Sequence, residues 1–408
     1  MMKNDVNVLI SGAGVAGLTV AHWLVRYGFK VTVVERAPHL RPGGQALDVR
    51  GPALEVAERM GVLDTFRQRS TGQTGMSVVD GDGKEIFRST ERTLTGGRFD
   101  SPDVEILRDA LCDVLYRAAG AVEYLFGDRI TALAQDEGGV DVTFASAPPR
   151  RFDLVIGADG LHSGVRRLAF GPEAEFIRYI GGCLAVFPMP NFLGLDRLQV
   201  FHQHAGIFGG VLGLRADLDV RTYIGFGFGF DAEQPRYDYR DVDAQKRLVA
   251  DQVAGAGWIF PQIVEHMWAA PDFYFDTMSQ IRMDRWSRGR VVLVGDAGYC
   301  VSPATGQGTS VAMVGAYILA GELAAHRGDF EAAAAAYEAE LRDYATRTAR
   351  WRSAPRPWTR WASPRRRTIL ATRMASRTWA CWSNRSRSRI TRLWRGHPSA
   401  SHQFGDSS

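Results

Sequence analysis

Short apolar runs and glycine-rich turns alternate over the first fifty positions. Residues 6–10 and 30–34 are β-prone runs, and residues 18–27 between them have a helical pattern. Gly28 is placed to end that helix. Strand, glycine-rich turn, helix and strand together predict a βαβ unit and a parallel sheet.

Two later segments repeat the theme of a buried strand that runs into a polar loop. Residues 152–157 lead into Asp159 and Gly160, and residues 290–294 lead into Gly295 and Asp296. A helix is predicted from Thr309, and an alanine-rich helix over residues 330–344. The carboxyl ends of parallel strands are where such loops meet a ligand.

Between these segments the pattern changes to alternation at every second residue. Residues 198–202 and 223–230 alternate in this way, which predicts sheet. The run from Gly225 to Phe230 has glycines at short spacing, but no helix pattern follows it. We therefore interpret it as a strand and not as a second nucleotide-binding loop.

The first turn, residues 11–17, has the G-x-G-x-x-G spacing of a dinucleotide-binding loop. Gly12 permits the tight turn, Gly14 lets the backbone approach a pyrophosphate, and Gly17 lets helix and strand pack closely. The helix N-terminus then favours an anion. Glu35, at the end of the second strand, is placed to accept hydrogen bonds from ribose hydroxyls and would repel a 2′-phosphate, which favours FAD or NAD over NADP as the resident nucleotide.

With these motifs in this order, residues 5–345 resemble the class A FAD-dependent aromatic monooxygenases. That group includes para-hydroxybenzoate hydroxylase, polyketide hydroxylases and tetracycline-inactivating enzymes. The resemblance implies an α/β fold, in which a Rossmann-like FAD-binding domain is interleaved with a smaller mixed-sheet substrate domain. The FAD-binding domain is expected at residues 1–71, 101–180 and 276–349, and the substrate domain at 72–100 and 181–275.

The resemblance also implies which residues contact FAD. The expected contacts of the ADP half are Gly12, Gly14, Ala16, Gly17, Glu35 and Arg36, with Asp128 near the adenine. The expected contacts of the pyrophosphate, ribityl chain and flavin ring are Asp159, Gly160, Arg166, Gly295, Asp296, Arg108, Pro303, Gly306, Gly308 and Thr309. The helix that starts near Gly308 would direct its N–H groups at the flavin pyrimidine, where a reduced flavin carries negative charge.

Candidates for the substrate pocket are less specific. They are one polar residue after the second strand and several aromatic residues of the alternating segments, namely Gln45, Phe201, Phe226, Phe228 and Tyr274. Aromatic residues on a sheet face also occur as plain core, and Gln45 also fits a surface loop.

The reaction implied by the resemblance uses NADPH or NADH and O2. The nicotinamide reduces FAD, oxygen adds to the reduced ring to give a C4a-hydroperoxide, and one oxygen atom passes to an electron-rich aromatic or polyketide-type substrate. The protein would hold the ring, exclude water and orient the substrate. No side-chain nucleophile and no metal site is therefore expected, and no Ser/His/Asp or metal-ligand pattern stands out.

Composition agrees with a cytoplasmic enzyme of small molecules. The net charge of +4 comes from residues 350–408, which hold 14 arginines and one acid; the rest of the chain has 35 basic against 44 acidic residues, a net charge of −9. An acidic body argues against a nucleic-acid-binding surface. No apolar run is long enough to span a membrane, and the four cysteines show no C-x-x-C pair. A monomer or homodimer is expected.

The segment 350–408 loses helical and strand periodicity and has six tryptophans among its arginines. We interpret it as an atypical, poorly ordered tail. An arginine-rich arm for RNA or membranes and an unusual folded helix are the alternatives.

Two rival functions share the FAD motifs. A flavin-dependent halogenase would need a G-W-x-W-x-I-P segment and a catalytic lysine, and Gly257-Trp258-Ile259-Phe260-Pro261 lacks the second tryptophan. A non-catalytic FAD-binding or ligand-binding protein is the other alternative, which the abnormal tail suggests.

Overall fold

The computed structural model describes residues 5–91, 93, 98–228 and 233–350. The strands in chain order are β1 (Asn7–Ser11), β2 (Lys30–Glu35), β3 (Ala46–Val49), β4 (Gly75–Val79), β5 (Glu85–Ser89), β6 (Val104–Leu107), β7 (Val122–Phe126), β8 (Ile130–Asp136), β9 (Gly139–Phe144), β10 (Arg150–Phe152), β11 (Leu154–Gly157), β12 (Ile177–Met189), β13 (Leu198–His204), β14 (Ile207–Leu212), β15 (Val220–Phe226), β16 (Tyr274–Ile281), β17 (Ser287–Arg288) and β18 (Val291–Leu293). The helices are α1 (Val15–Arg26), α2 (Pro52–Arg59), α3 (Leu63–Gln68), α4 (Arg108–Ala118), α5 (Gly164–Ala169), α6 (Val242–Val253), α7 (Phe260–Ala269), α8 (Asp296–Tyr299), α9 (Gly308–His326) and α10 (Phe330–Arg350).

A six-stranded sheet contains all four strands that the apolar runs predict. Its order is β17-β18-β11-β1-β2-β7, and all neighbouring pairs are parallel except β17 with β18. The predicted βαβ unit is therefore confirmed. Helix α1 starts at Val15, before the predicted residue 18, because Gly14 already serves as its N-cap.

The core of this part is built between the parallel sheet and the helices around it. The central strands β1 and β11 are almost entirely buried, and the apolar side chains of α1, α9 and α10 pack in the same cluster. Helix α9 is long and apolar enough to cross a bilayer, but most of it is buried inside the protein. Its apolar character is therefore explained by its place in the core.

A second, seven-stranded sheet lies beside the first and is called the roof here. Its order is β16-β12-β15-β14-β13-β4-β5, and it is mixed because β13 and β4 run parallel. The α/β fold with a mixed second sheet is thus confirmed. The roof strand β12 begins at Ile177 and β16 ends at Ile281, so the sheet extends beyond residues 181–275, and the domain boundaries themselves stay a prediction.

One predicted strand is displaced. The alternating run 223–230 is a strand only to Phe226, where β15 ends, and β15 starts earlier, at Val220. The strand cannot continue because Gly227 adopts a φ of +67°, in the left-handed region. Gly229 and Phe230 lie outside the described residues, as does the predicted tail beyond residue 350.

The two faces of the roof have different neighbours. One face packs on α6 and α7 and forms a second apolar cluster, which includes Val200, Val211 and Ile224. The opposite face is directed at the parallel-sheet part, since the Tyr223 hydroxyl accepts a hydrogen bond from the Ala46 N–H at 2.8 Å. The region between this face and the parallel-sheet part is called the cleft here, and alternate residues of the roof strands face it.

Helix α10 is tested by truncating a buried side chain. Leu341 is fully buried in the main core, so Leu341→Ala should lower the free energy of unfolding by about 2–5 kcal/mol through lost packing and a cavity. The exposed Glu331, in the first turn of α10, provides the control Glu331→Ala. The free energies of unfolding are measured by urea unfolding followed by far-UV circular dichroism. An equal loss in both variants would contradict this placement of Leu341.

Candidate functional site

The glycine turn between β1 and α1 allows backbone to pack on backbone. Gly12 has a φ of +107°, and a Cβ there would lie 2.5 Å from the Ala158 carbonyl oxygen; a Cβ at Gly17 would overlap the Gly12 carbonyl oxygen. A Cβ at Gly14, by contrast, would meet no atom within 4 Å. Two glycines thus close the turn onto β11, and the third leaves an open face at the start of α1, where an anion is stabilised.

Glu35 closes the other side of this turn. Its carboxylate accepts hydrogen bonds from the N–H groups of Ala13 (2.8 Å) and Ala37 (2.9 Å). Glu35 is half-buried, and the neighbouring Arg36 is exposed. The acid therefore lies directly beside the glycine turn, as the ribose-binding prediction requires.

Asp159 organises the loop that follows β11. Its carboxylate accepts hydrogen bonds from the Ser163 hydroxyl and from the N–H groups of Gly164 (2.8 Å) and Val165 (3.1 Å). Burial raises the pKa of Asp159, and these hydrogen bonds oppose the rise. A Cβ at Gly160 would meet no atom within 4 Å, so the loop has an open surface at that residue.

The loop after β18 packs on the glycine turn. A Cβ at Gly295 would lie 2.8 Å from the Ala16 Cβ, which sets the close approach of this loop to the first turn of α1. The Asp296 side chain is exposed, but enough protein surrounds it for burial to raise the pKa of its carboxyl.

The chain then reaches α9 through a short 3₁₀ turn, Pro303–Thr305. Pro303 is exposed, Gly306 adopts the left-handed conformation, and Gly308 and Thr309 form the first turn of α9. No side chain caps α9, and none caps α1. The first N–H groups of both helices are therefore left without a side-chain cap, which suits a bound anion.

Arg108 is hydrogen-bonded to residues 41–46, which are called the 41–46 loop here. One guanidinium nitrogen donates to the carbonyl oxygens of Arg41 (2.8 Å), Pro42 (3.1 Å) and Gly43 (3.2 Å). The Arg108 N–H donates to the carbonyl oxygen of Gln45 at 3.0 Å. Gln45 is thus held by its backbone in a half-buried position.

Aromatic side chains line the cleft face of the roof. Phe201 stacks on Phe208 with ring centroids 4.9 Å apart. The ring of Phe228 covers Gly225, where a Cβ would lie 2.6 Å from that ring. Tyr223 and Tyr274 share this face, because both oppose the same residue of β12 in the sheet register.

Comparison with known proteins identifies the family of the chain and its cofactor. The family model described as "FAD binding domain" matches residues 5–352. The chain is similar to a flavin-dependent monooxygenase of Legionella longbeachae (37% identity, covering 84% of this chain and 87% of the relative) and to an uncharacterised protein of Mycobacterium tuberculosis (54%, covering 83% and 91%). Among solved structures it resembles the tetracycline destructase Tet(51), with a TM-score of 0.78, 34% identity, and 86% and 90% of the two chains covered.

The chain belongs to the FAD-binding domain family. It is an FAD-dependent monooxygenase that acts on a small molecule. A Cβ at Gly14, Gly160 or Gly308 would meet no atom within 4 Å, so a ligand can approach the backbone at these residues. Gly14 and Gly308 lie at the uncapped starts of α1 and α9, and the Asp296 side chain is exposed. The residues present therefore fit FAD.

Two predicted FAD contacts of the monooxygenase have their charged groups engaged by the protein itself. The fully buried Arg166 donates to the carbonyl oxygens of Leu161 (2.6 Å) and Ala297 (2.9 Å) and to Glu173 (2.9 Å). It therefore ties the Asp159 loop to the Asp296 loop. The Asp128 carboxylate accepts four backbone N–H groups, from Arg129, Ala145, Ser146 and Ala147.

Burial would raise the pKa of Asp128, but these four hydrogen bonds outweigh it and lower that pKa. Because both terminal guanidinium nitrogens of Arg166 and both carboxylate oxygens of Asp128 have protein partners, direct contacts of these two residues with FAD are not retained in our proposal. Their place in the structure is to shape the loops that surround the cofactor.

One predicted substrate residue lies on the wrong face of the roof. Phe226 stacks on Phe275 and belongs to the apolar cluster under α6 and α7. The side chains of a strand alternate between faces, so Phe226 cannot share the cleft face with Tyr223 and Gly225 of the same strand. We withdraw it as a substrate contact, while Phe201, Phe228 and Tyr274 remain predictions.

The sequence reasoning missed a charged cluster at His162. Its ring nitrogens lie 2.9 Å from the Glu173 carboxylate and 3.2 Å from that of Asp276, and its ring stacks on Tyr239. Burial would lower the pKa of His162, but the two carboxylates outweigh it and raise the pKa to about 9. The sequence indicates only part of this cluster. His162 lies inside the Asp159 motif, but Asp276 is distant in sequence, so no local pattern shows that the two residues meet.

No group of His, Cys, Asp and Glu able to hold a metal ion occurs among the described residues. Cys112, Cys183 and Cys300 are buried free thiols, and Cys381 lies outside the described part of the chain.

Gly14→Ala should separate folding from FAD binding. The new methyl group meets no protein atom within 4 Å, so the melting temperature of the FAD-free protein should be unchanged, while FAD should bind at least about tenfold more weakly because the methyl group keeps the pyrophosphate from the backbone. Flavin fluorescence titration measures the Kd. Gly321→Ala, in α9, also adds a methyl group without a contact; an equal loss of affinity in both variants would contradict the placement.

The His162 cluster predicts a pH-dependent stability. Since the pKa of His162 is raised in the folded state to about 9, its contribution is complete below about pH 6.5 and is lost as the pH rises through about 9, with a size of at most about 3 kcal/mol. Urea midpoints of the wild type and His162→Gln should thus differ most at pH 6 and converge near pH 10. The exposed His39→Gln serves as the control, and a difference independent of pH would refute the charged pairing.

Proposed function

We propose that this monooxygenase uses NADPH or NADH and O2 to hydroxylate an aromatic or polyketide-type substrate. The observation that carries the proposal is that the three loops proposed to hold FAD converge at the start of α1, while Tyr223 and Tyr274 lie on the roof face directed at this part of the protein. A multi-ring phenol matches that surface, because its flat rings would pack against Tyr223 and Tyr274 and its hydroxyl groups would reach the polar loops. The likeness to a tetracycline destructase supports the same substrate class.

The residues proposed to hold FAD fall into three groups. The ADP half is held by Gly12, Gly14, Ala16, Gly17, Glu35 and Arg36; the pyrophosphate and ribityl parts by Asp159, Gly160, Gly295 and Asp296; and the ring by Arg108, Pro303, Gly306, Gly308 and Thr309. The supporting observation is that the three loops converge at the start of α1, where Gly295 approaches Ala16.

The side chains and backbone of the protein position and shield, and they supply no nucleophile. When bound, FAD accepts hydride from the nicotinamide and activates O2. The uncapped start of α9 would stabilise the negative charge of a reduced flavin. The roof covers the cleft and excludes water, and its aromatic face orients the substrate toward the ring.

The halogenase alternative is not favoured by the placement of its partial motif. Trp258 packs against His202 and Phe260, and Phe260 belongs to the apolar cluster between the roof and α6 and α7. This segment thus lies on the face of the roof away from the cleft. A cytoplasmic location and a monomeric or homodimeric state complete the proposal.

Oxidation of NADPH or NADH by the FAD-loaded enzyme should be stimulated by the correct phenol, with matching O2 uptake. Mass spectrometry should show a product with one added oxygen atom. A panel of multi-ring phenols and single-ring phenolic acids distinguishes the substrate classes. Gly14→Ala, measured at the same protein concentration, controls for free flavin in solution.

Chlorinated product in the presence of chloride would instead establish a halogenase. Flavin binding without nicotinamide oxidation by any phenol of the panel would favour the non-catalytic alternative.

A further inference from the structure

One strand of the roof carries two acidic residues and a tyrosine at alternate positions, just before and within β16. They are Asp272, Tyr274 and Asp276, and they face the cleft because side chains two apart in a strand share a face. The intervening Phe273 and Phe275 pack in the cluster on the other face. Two carboxylates of the roof are thus directed at the FAD-binding part.

The first carboxylate holds the 41–46 loop. Asp272 Oδ2 accepts a hydrogen bond from the Gly44 N–H at 2.9 Å. The contact is close, because a Cβ at Gly43 would overlap that carboxylate. Tyr223 of the roof accepts a further hydrogen bond, from the Ala46 N–H at 2.8 Å, so the roof engages two N–H groups of this loop.

The second carboxylate holds the Asp159 loop. Asp276 Oδ2 lies 3.2 Å from His162 Nε2, and its Oδ1 accepts from the Tyr237 hydroxyl at 2.9 Å and from the Thr277 N–H at 2.8 Å. Asp276 is buried, with 7% of its surface exposed. A buried carboxylate with this number of partners has one well-defined position. Its contact with His162 therefore also fixes the position of the imidazole ring.

These two contacts join one strand to the 41–46 loop, which is bonded to Arg108, and to the Asp159 loop; the inference rests on the proposed function, in which Arg108 and Asp159 hold FAD. We propose that Asp272 and Asp276 are positioning residues that act as a two-point clamp, by which the roof sets the placement of the 41–46 and Asp159 loops and thereby the affinity for FAD. The substrate sheet is then part of the cofactor site, although neither acid belongs to the FAD motifs. Because binding free energies are reciprocal, bound FAD also stabilises the seating of the roof.

The clamp makes a specific prediction for FAD affinity. Asp272→Ala and Asp276→Ala should each raise the Kd for FAD about tenfold, measured by flavin fluorescence titration. The double variant should raise it clearly less than the hundredfold product, since release of one end already frees the strand. Additive effects would overturn the clamp and leave two independent contacts.

Asp109 provides a matched control within the same loop. Its carboxylate accepts the Gly43 N–H at 2.8 Å, but from α4 and not from the roof. Asp109→Ala therefore loosens the loop without releasing the roof, and its effect should add to that of Asp276→Ala. If Asp109→Ala combined with Asp276→Ala were as far from additive as Asp272→Ala combined with Asp276→Ala, a role specific to the roof would be contradicted.

A second variant keeps the proposal testable should an alanine variant fold poorly. The amide oxygen of Asp272→Asn can still accept the Gly44 N–H, so this variant should bind FAD within about threefold of the wild type. Hydrogen exchange of the FAD-free protein should be faster around residues 41–50 in Asp272→Ala, and unchanged in α10. Two results would show that loss of the Asp272–Gly44 hydrogen bond is not the cause of the weaker FAD binding in Asp272→Ala. One is weak FAD binding by Asp272→Asn, and the other is an equal loss of FAD affinity in Asp251→Ala, a change at an exposed residue of α6.

Discussion

The close contact of three backbone segments at the first turn is the constraint on which the site depends. Gly12 lies against the Ala158 carbonyl, Gly17 lies against Gly12, and the Gly12 N–H donates to Val34 at 2.8 Å. A side chain at either glycine would separate β1, α1 and β11 at once. This contact brings the ends of three parallel strands to one edge, so that all the proposed FAD loops open on the same cleft.

The charged residues around this turn divide into two classes by their partners. The terminal nitrogens of Arg166 and the carboxylate of Asp128 are bonded to groups of the protein, and these two residues give the loops their shape. Asp296 and the first turns of α1 and α9 are the groups directed at the cleft. The division has a physical basis, because a buried charge must be paired within the fold, whereas a ligand-binding group needs partners left for the ligand.

The roof connects the two parts of the molecule through polar contacts and not through a shared apolar core. The apolar clusters of the two parts are separate, and Tyr223, Asp272 and Asp276 bridge them by hydrogen bonds. Polar contacts depend strongly on distance and angle. Such an interface fixes the relative placement of the loops and the roof, and it leaves an aromatic surface available to the substrate.

The sequence by itself determined the βαβ unit and the FAD-binding family, and it located the three loops proposed to hold the cofactor, because glycine spacing and apolar runs act locally along the chain. It also indicated that the roof is a sheet, from alternation alone. Tertiary structure decided which face each residue takes and which partner it meets. Phe226 lies on the core face because the register of β15 is set by its neighbours, and Arg166 donates to the carbonyl oxygen of Ala297, 131 residues away. The pairing of Asp272 with Gly44 likewise joins residues 228 apart, and no local pattern encodes such a contact.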